Sequence, residues 1–578
     1  MKTILMTGIT ILFVFVMTAQ TYITNVTVLD VENQKEIPNQ TVLITNSLIV
    51  KIQSSKKVKI PDNAVIIDGT GKYLAPGLTD AHIHFSQNGG LYTRPDTIDL
   101  RAFTPYEQEI HISKTKMEDK LRRYLKNGIT TVFDVGSTLY FLEKSKTFQD
   151  KDFAPTIYMT GPLSTTYKPQ VFEDFPDNSP FALTQTVEEG IKSVQDQLPY
   201  KPDFIKIWYI VGADGLSVEE SARKNLPIVK AVIDEAHKHN LKVAVHATQR
   251  ITAQLAVENG ADFLVHSVDD EILQPDFVQL MKKNKVVLCP TLIVHGGYIK
   301  TFGQNLKFST YELETAEPQQ LGTLLDLKHL SDNTMVKNYK AQGNSEQMLS
   351  NLKASDSISR TNLKLLSDAG VTIATGTDAG NIGTLHVSSY QAELIAMKES
   401  GLSHWEILEA STINGAKILD KEEEFGSIKV GKKANLILLD ASPVDDLANL
   451  TKIHKVINNG SVFNPEDLLK DTPEDLAQRQ LNGYNLRHID AFLEPYADEV
   501  EVYNFPGQLQ YKGKEAMKKG YAQMFTNTPN LHCELLNRMV QVNTVIDQER
   551  VQVGIRVIEA TAISQSENGK IQKVFFLR

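Results

Sequence analysis

The chain has 578 residues, 41% of them apolar and 22% charged, the balance of a globular protein of about three or four domains. Its net charge of -10 at pH 7, with no long basic run, excludes electrostatically driven binding to nucleic acid or an anionic bilayer. Small-molecule chemistry is the expectation that remains.

In chain order, Lys2, the apolar run from Ile4 to Met17 and Met17-Thr18-Ala19-Gln20 read as a secretory signal over residues 1–19, cleaved after Ala19. The run is shorter than the roughly 20 residues that span a bilayer. Export to the periplasm or medium is expected, with no stable membrane insertion after cleavage; an uncleaved anchor is the alternative. From Tyr22 to Asp68 short strands alternate with polar punctuation: Ile23 to Asp30, Thr41 to Thr45, Leu48 to Gln53 and Val65 to Ile67. A similar texture returns at Asn435 to Asp440 and Lys455 to Phe463. Residues 20–75 and 421–466 are therefore expected to form one small β-sandwich built from both flanks.

Residues 76–420 alternate apolar strand-like runs with helical patterns. After the strand led by Pro76-Gly77 come Ile129 to Asp134, Thr156 to Thr160, Asp203 to Ile210, Lys242 to His246, Asp262 to Val268, Val286 to Thr291 and Val371 to Thr377, eight strands in all. Met117 to Lys126, Val187 to Gln197, Pro227 to Lys238 and Gln254 to Glu258 read as helices between them. This predicts an α/β fold, a (β/α)8 TIM-type barrel with its active site at the carboxyl ends of the strands. A doubly wound open sheet is the alternative, but no Gly-rich phosphate loop follows any strand. Two connections, Ser86 to Lys116 and Ile293 to about Ser357, are long enough to be substrate walls or lids, or else surface decoration or a subunit contact. Residues 471–578 read as a separate α+β unit. Its expected elements are a helical run Pro473 to Leu493, a strand Val500 to Tyr503, a helix Lys514 to Phe525, and strands at Leu531 to Gln541, Thr544 to Asp547, Arg550 to Ala562 and Lys570 to Leu577. The two cysteines, Cys289 and Cys533, fall in different units and read as buried thiols rather than a disulfide.

The chemistry concentrates at the strand ends. His82 and His84 alternate along the first strand, so both project to one side and can close on one metal ion. Lys206, His246, His266 and Asp378 each interrupt an apolar strand near its carboxyl end. Singly, such a histidine is more often a core or capping residue, and Asp378 could cap a turn. Their joint occurrence on strands already placed in parallel points to a metal site. Lys206 has no lone pair when protonated and is costly to bury, so it needs a counter-charge or conversion to an anionic carbamate able to bridge two cations.

These motifs resemble the amidohydrolase superfamily over nearly all of Tyr22 to Phe463. The resemblance rests on His82-Ile83-His84, Lys206, His246, His266 and Asp378, with Asn414, Gly426-Ser427-Ile428 and Gly431-Lys432-Lys433-Ala434-Asn435-Leu436 leading back into the sandwich. The strand around Lys206 and Val243-Ala244-Val245-His246-Ala247 are similar to the imidazolonepropionase-related branch that includes binuclear Xaa-Pro dipeptidases. Deaminase relatives carry a glutamate where this chain has Gln249, which disfavours deamination; the mononuclear imidazolonepropionase site lacks the lysine. The final unit resembles the SnoaL-like branch of the NTF2-like cone fold through Tyr484 to Phe492, Tyr496-Ala497-Asp498-Glu499-Val500 and Lys512-Gly513-Lys514-Glu515-Ala516. Asp498 or Tyr496 could line a pocket there, or serve folding alone.

The resemblance implies two divalent ions, one on His82, His84 and Asp378 and one on His246 and His266, bridged by carboxylated Lys206. Zn²⁺ fits this donor set, with Mn²⁺, Fe²⁺ or Co²⁺ as alternatives. It implies attack by a shared hydroxide on a carbonyl, with Asp378 as base and then acid, cleaving a carbon-nitrogen bond in an amide, dipeptide or cyclic amide. A lactone, ester or phosphotriester hydrolase, or a non-catalytic ligand-binding protein, are the rival readings. Tyr92, Arg94, Tyr209, His295 and His386 are candidate substrate contacts, Arg94 as a carboxylate clamp. The expected partner is a small-molecule substrate, with self-association through the C-terminal unit as a further option.

Overall fold

The structure, a computed structural model, describes residues 20–149, 151–330 and 333–577; the expected signal segment lies outside them. Among the described residues no helix is long and apolar enough to cross a membrane.

Strands from both flanks lie in one eight-stranded sheet. Strand Tyr73–Pro76 pairs with Thr21–Asp30 on one side and antiparallel with Leu436–Leu439 on the other, Leu436 opposite Pro76. Ile23, Val28, Val42, Leu74, Leu436 and Ile457 close its core.

The central region is built on parallel strands with little polar alternation, because both faces are covered. Leu78–Ile83 and Ile129–Asp134 are buried at every position. With Thr156–Met159 they form a three-stranded sheet, while Phe204–Trp208, Lys242–His246, Phe263–Val265 and Val287–Cys289 run parallel in a six-stranded one. The sixfold count comes from two short strands absent from the sequence reading, Leu163–Thr165 and Phe181–Leu183. Three-residue runs carry too little periodicity to read.

The expected eighth strand, Val371 to Thr377, is not a regular strand. Among the described residues its only ladder contact is an isolated bridge between Leu288 and Ile373, and a second bridge, Ile83 with Ala379, follows just after it. Single backbone bonds nevertheless carry it from one sheet to the other: Leu288 N to Thr372 O (2.9 Å), Ala81 N to Thr375 O (2.8 Å) and Asp378 N to His82 O (2.7 Å). On the far side Asp203 N donates to Met159 O at 2.9 Å. The regular ladders thus form two sheets, not one closed cylinder.

Two helices begin earlier than expected. The helix Val218–Lys238 starts at a capping box between Ser217 and Glu220 and runs through Pro227, where the sequence reading began it. Arg250–Glu258 likewise precedes Gln254.

The two long connections pack on each other, the first mostly irregular with one helix and the second largely helical. The first holds Tyr106–Thr115; the second holds Val294–Gly303, Thr310–Thr315, Pro318–Thr323 and Thr334–Gly343 before Glu346–Asp368. Leu91, Ile98, Leu313, Leu321, Val336 and Leu385 give them a core of their own, and Ala491 of the C-terminal unit belongs to it.

The C-terminal unit is a six-stranded sheet with helices Pro473–Asn485, Ile489–Leu493 and Lys514–Asn527. The expected single helical run breaks at Arg487, φ +54°, and restarts under a His488 cap. Strand Thr544–Val553 runs unbroken through the expected gap near residue 548, and the chain turns instead at Gly554, φ +63°. Strand Gln508–Lys512 was not foreseen.

This unit is docked by polar contacts on the second connection. Asn482 Nδ2 donates to Pro318 O at 2.8 Å, while its Oδ1 accepts from Gln478 Nε2 at 2.9 Å, and Asn482 is buried. Asn482→Ala would strand both partners, so the denaturation midpoint of the full chain should fall, with a loss of roughly 1–3 kcal/mol.

Candidate metal centre

Six side chains meet where the parallel strands end. His82 lies on the Leu78–Ile83 strand, His84 immediately after it, Lys206 within Phe204–Trp208 and His246 at the end of Lys242–His246. In the ladder Trp208 pairs with His246 and His246 with Val265, so these ends are level. Phe204, Ala244, Phe263 and Val265 pack in the inner apolar cluster, and alternation carries Lys206 and His246 to the same side. By the same alternation His266, next after Val265, would face outward. Its φ of +76° breaks the pattern, and its ring lies 5.0 Å from that of His82 and 4.3 Å from that of His246. Asp378 is also left-handed, φ +58°. Such backbone in residues other than glycine costs about 1–3 kcal/mol and clusters at functional sites.

Hydrogen bonding fixes the His84 proton. His84 Nδ1 donates to Gly136 O at 2.7 Å, so in the neutral ring Nε2 is a bare lone pair. That nitrogen lies 3.3 Å from His82 Nε2 and 3.0 Å from Asp378 Oδ1, and His82 Nε2 is 3.1 Å from the same oxygen. Burial lowers the His82 pKa to about 4 and holds His246 and His266 well below the ordinary imidazole range, so the rings are neutral. Lone pairs therefore face one another with too few protons between them. Asp378 Oδ1 and His82 Nδ1 are both buried without a hydrogen-bond partner.

A cation resolves this conflict. Ligand atoms of His82, His266 and Asp378 already lie within 4.8 Å of one another. The all-imidazole and carboxylate donor set suits a divalent ion of the zinc type. Lys206, 1% exposed, has no hydrogen-bonding or ion-pairing partner for its ammonium among the described residues. Burial lowers its pKa to about 7 against the pull of Asp378.

Several supporting residues escaped the sequence reading. Asp80 accepts from Thr377 N (3.0 Å) and Thr377 Oγ1 (2.8 Å), tying the irregular eighth segment to the first strand. Burial raises its pKa to about 7. Asp134 accepts from Phe85 N (2.8 Å) and Gly136 N (3.1 Å) and shapes the loop that receives His84. Thr291 Oγ1 lies 2.6 Å from His266 Nδ1, and Glu393 accepts from the backbone of Leu292 and Ile293 just beyond. A signal existed for two of them: Asp80 precedes His82 at the same spacing as His84 follows it, and Asp134 ends a parallel strand as His246 does.

The candidate substrate residues are scattered. His295 lines a cavity of about 330 Å³ that opens on His266, with Asp269, Lys300 and Arg360 around it. Arg94 is held by Asp96 through Nε (2.8 Å) and Nη2 (2.6 Å), and its Nη1 donates to Asn381 Oδ1. Asn381 Nδ2 in turn donates to Asp378 O at 3.2 Å. Tyr92 donates to Asp326 at 2.8 Å within the core of the long connections. Tyr209 turns to the helix layer and donates to Ala222 O at 2.5 Å. His386 is buried beside Phe85, its Nδ1 accepting from Tyr124 OH and its Nε2 donating to Gln87 O, each at 2.9 Å.

The sequence profile of the amidohydrolase family matches residues 73–463, two thirds of the chain. The chain belongs to the amidohydrolase family. Its members are hydrolases acting on carbon-nitrogen bonds and use divalent metal ions, and the buried His/Asp cluster described above lies inside the matched region. A SnoaL-like domain profile matches residues 477–574. An imidazolonepropionase of Geobacillus sp. (strain WCH70) is 23% identical over 415 residues, covering 69% of this chain and 82% of the relative. Among solved structures, a Xaa-Pro dipeptidase with bound methionine in its active site superposes with TM-score 0.57 at 21% identity, over 77% of this chain and 100% of the other. The A. niger ochratoxinase gives 0.58 at 18% identity, over 77% and 96%. At these identities the two structures speak to the amidohydrolase fold alone.

Gly376 marks how closely the eighth segment of this amidohydrolase must approach. A Cβ there would lie 2.4 Å from Cys289 Sγ and 2.7 Å from His82 N. Gly376→Ala should therefore cost roughly 1–3 kcal/mol in denaturant unfolding. It should also lower the metal bound per chain, which distinguishes displacement of His82 from a general loss of stability.

Proposed function

We propose that this amidohydrolase hydrolyses the carbon-nitrogen bond of an amide, a dipeptide or a cyclic amide at a two-metal centre. The reading rests on one observation: His82 Nε2, His84 Nε2 and Asp378 Oδ1 converge within 3.3 Å of one another in a buried space, where the single ring proton left to His82 can satisfy at most one of the contacts. In this reading the two parallel sheets and the 371–378 segment act as one closed barrel, and the centre lies at its mouth.

His82, His84 and Asp378 would hold one ion and His246 and His266 the other. Lys206 would join them as a carbamate, formed when carbon dioxide adds to its neutral amine with loss of a proton. Burial, which lowers the Lys206 pKa to about 7, supplies that neutral amine near physiological pH. When bound, divalent ions supply Lewis acidity, acidifying water and polarising a carbonyl oxygen.

The chain's own groups do the rest. Asp378 takes the proton of the attacking water and returns it to the leaving nitrogen, first base and then acid. The backbone bond from Asp378 N to His82 O and the Asn381 bond to Asp378 O fix that carboxylate's approach. The cavity lined by His295, Asp269 and Arg360 would receive the substrate beside His266. Gln249, three residues after His246 and without a titratable group, supports amide hydrolysis over deamination.

Elemental analysis of the purified chain should give close to two divalent ions, and one ion with an unmodified Lys206 by intact mass would overturn the bridged centre. Asp378→Asn should lower turnover of a dipeptide or N-acyl amino acid by at least about 100-fold while retaining more metal than Lys206→Ala. Exhaustive chelation should lower the thermal midpoint, since binding energy that stabilises only the folded state is withdrawn.

A further inference from the structure

The C-terminal unit encloses a cavity of about 390 Å³ between one face of its sheet and the helices Pro473–Asn485 and Lys514–Asn527. Every second residue of 547–553 and of 558–564 faces it, so it is lined by one side of a regular ladder. The helices contribute residues one turn apart, Gln480 with Tyr484 and Gly520 with Met524. A space of this size, walled by the sheet and the helices and open at its mouth, suits a small organic molecule.

Its charge is one-sided. Two carboxyl groups line it, Asp547 and Glu549, and no lysine, arginine or histidine does. Asp547 is already satisfied: Arg538 holds both its oxygens, each at 2.7 Å. Arg538 is itself tied back to Gln478 at 2.9 Å. Glu549 is 6% exposed, sits opposite Ala560 in the ladder and has no cation in ion-pair contact among the described residues. The other titratable groups facing the space are the Cys533 thiol and tyrosines 484, 496, 511 and 521. Burial, then Asp547, pushes the Glu549 carboxyl up to about 8.

The remaining wall is aromatic. Phe492 packs against Tyr521 at 4.5 Å between ring centroids, Tyr496 at 5.5 Å and Tyr484 at 6.1 Å, and Phe576 lines the sheet side. Aromatic faces attract cations, and a buried carboxyl without a basic partner attracts the same ligand. An anion would meet two acids and no counter-charge. A neutral ligand would gain no ion pair from the carboxyl, whereas a cation draws it into its ionised form.

We infer that the C-terminal unit binds an organic cation, a protonated amine carried on an aromatic or alicyclic body, with the ammonium against Glu549 and the body among the rings. This rests on the cavity alone and stands apart from the hydrolytic reading of the barrel.

Calorimetric titration of the metal-loaded full chain with tryptamine, tryptophol and indole-3-propionate tests it, the three sharing a ring system and differing in charge. One tryptamine should bind per chain, at least about tenfold more tightly than tryptophol, with indole-3-propionate weakest. Glu549→Gln should erase the gap between tryptamine and tryptophol. Ala560→Phe, which places a ring opposite Glu549, should abolish binding of both, and it carries the test if the first variant misfolds. Tryptamine no tighter than tryptophol, no tryptamine binding below about 1 mM, or tryptamine binding unchanged by a folded variant of either kind would overturn the proposal.

Discussion

Unprotonated imidazole nitrogens aimed at a carboxylate oxygen repel unless something positive lies between them, and much of this fold works to hold His82, His84 and Asp378 in that arrangement. Asp80 pins Thr377 to the first strand, Asp134 shapes the loop whose Gly136 carbonyl takes the His84 proton, and Gly376 lets the eighth segment lie directly against His82. His266 and Asp378 accept left-handed backbone for the same end. The left-handed residues carry a cost in backbone energy that the fold must offset elsewhere. Together they hold the ligand atoms in place before a cation arrives, so little of its binding energy would go into gathering them.

Most of the parallel strands were legible because they are buried on both faces, which makes each an unbroken apolar run ended by one polar residue. The eighth was read as a strand from the same pattern, but Gly376 and the left-handed Asp378 loosen it into a segment held by single bonds. The metal-binding candidates were legible for the reason the strands were: a histidine, lysine or aspartate stands out at the end of such a run. Tyr209 and His386 show the limit. Each lies near a strand end or a loop in the sequence, yet one faces the helix layer and the other a core packed behind Phe85, and direction along an irregular loop has no periodic signature.

The long connections were unreadable for a different reason. Their apolar residues are spaced for a core assembled from segments more than 200 residues apart, Leu91 with Leu321 and Leu385 for example, so no single segment shows a clear apolar face. Short helices such as Thr310–Thr315 and Pro318–Thr323 are specified by that core and by caps at Ser309 and Glu317 rather than by their own periodicity.

The same core has a consequence for how the protein is divided. Ala491 lies inside it, and Asn482 and Arg479 bond to carbonyls of the second connection. The sequence boundary near Asp471 separates two family profiles, and the C-terminal unit has an apolar core of its own around Phe492, Val500 and Ile571, yet contacts with the second connection cross that boundary. An exchange of C-terminal units between relatives would have to match the carbonyls of Glu314 and Pro318 and the apolar seat of Ala491. The edge of the C-terminal profile and the edge of its packing therefore fall at different places in this chain, so a substitution in the second connection reaches the surface on which the C-terminal unit rests.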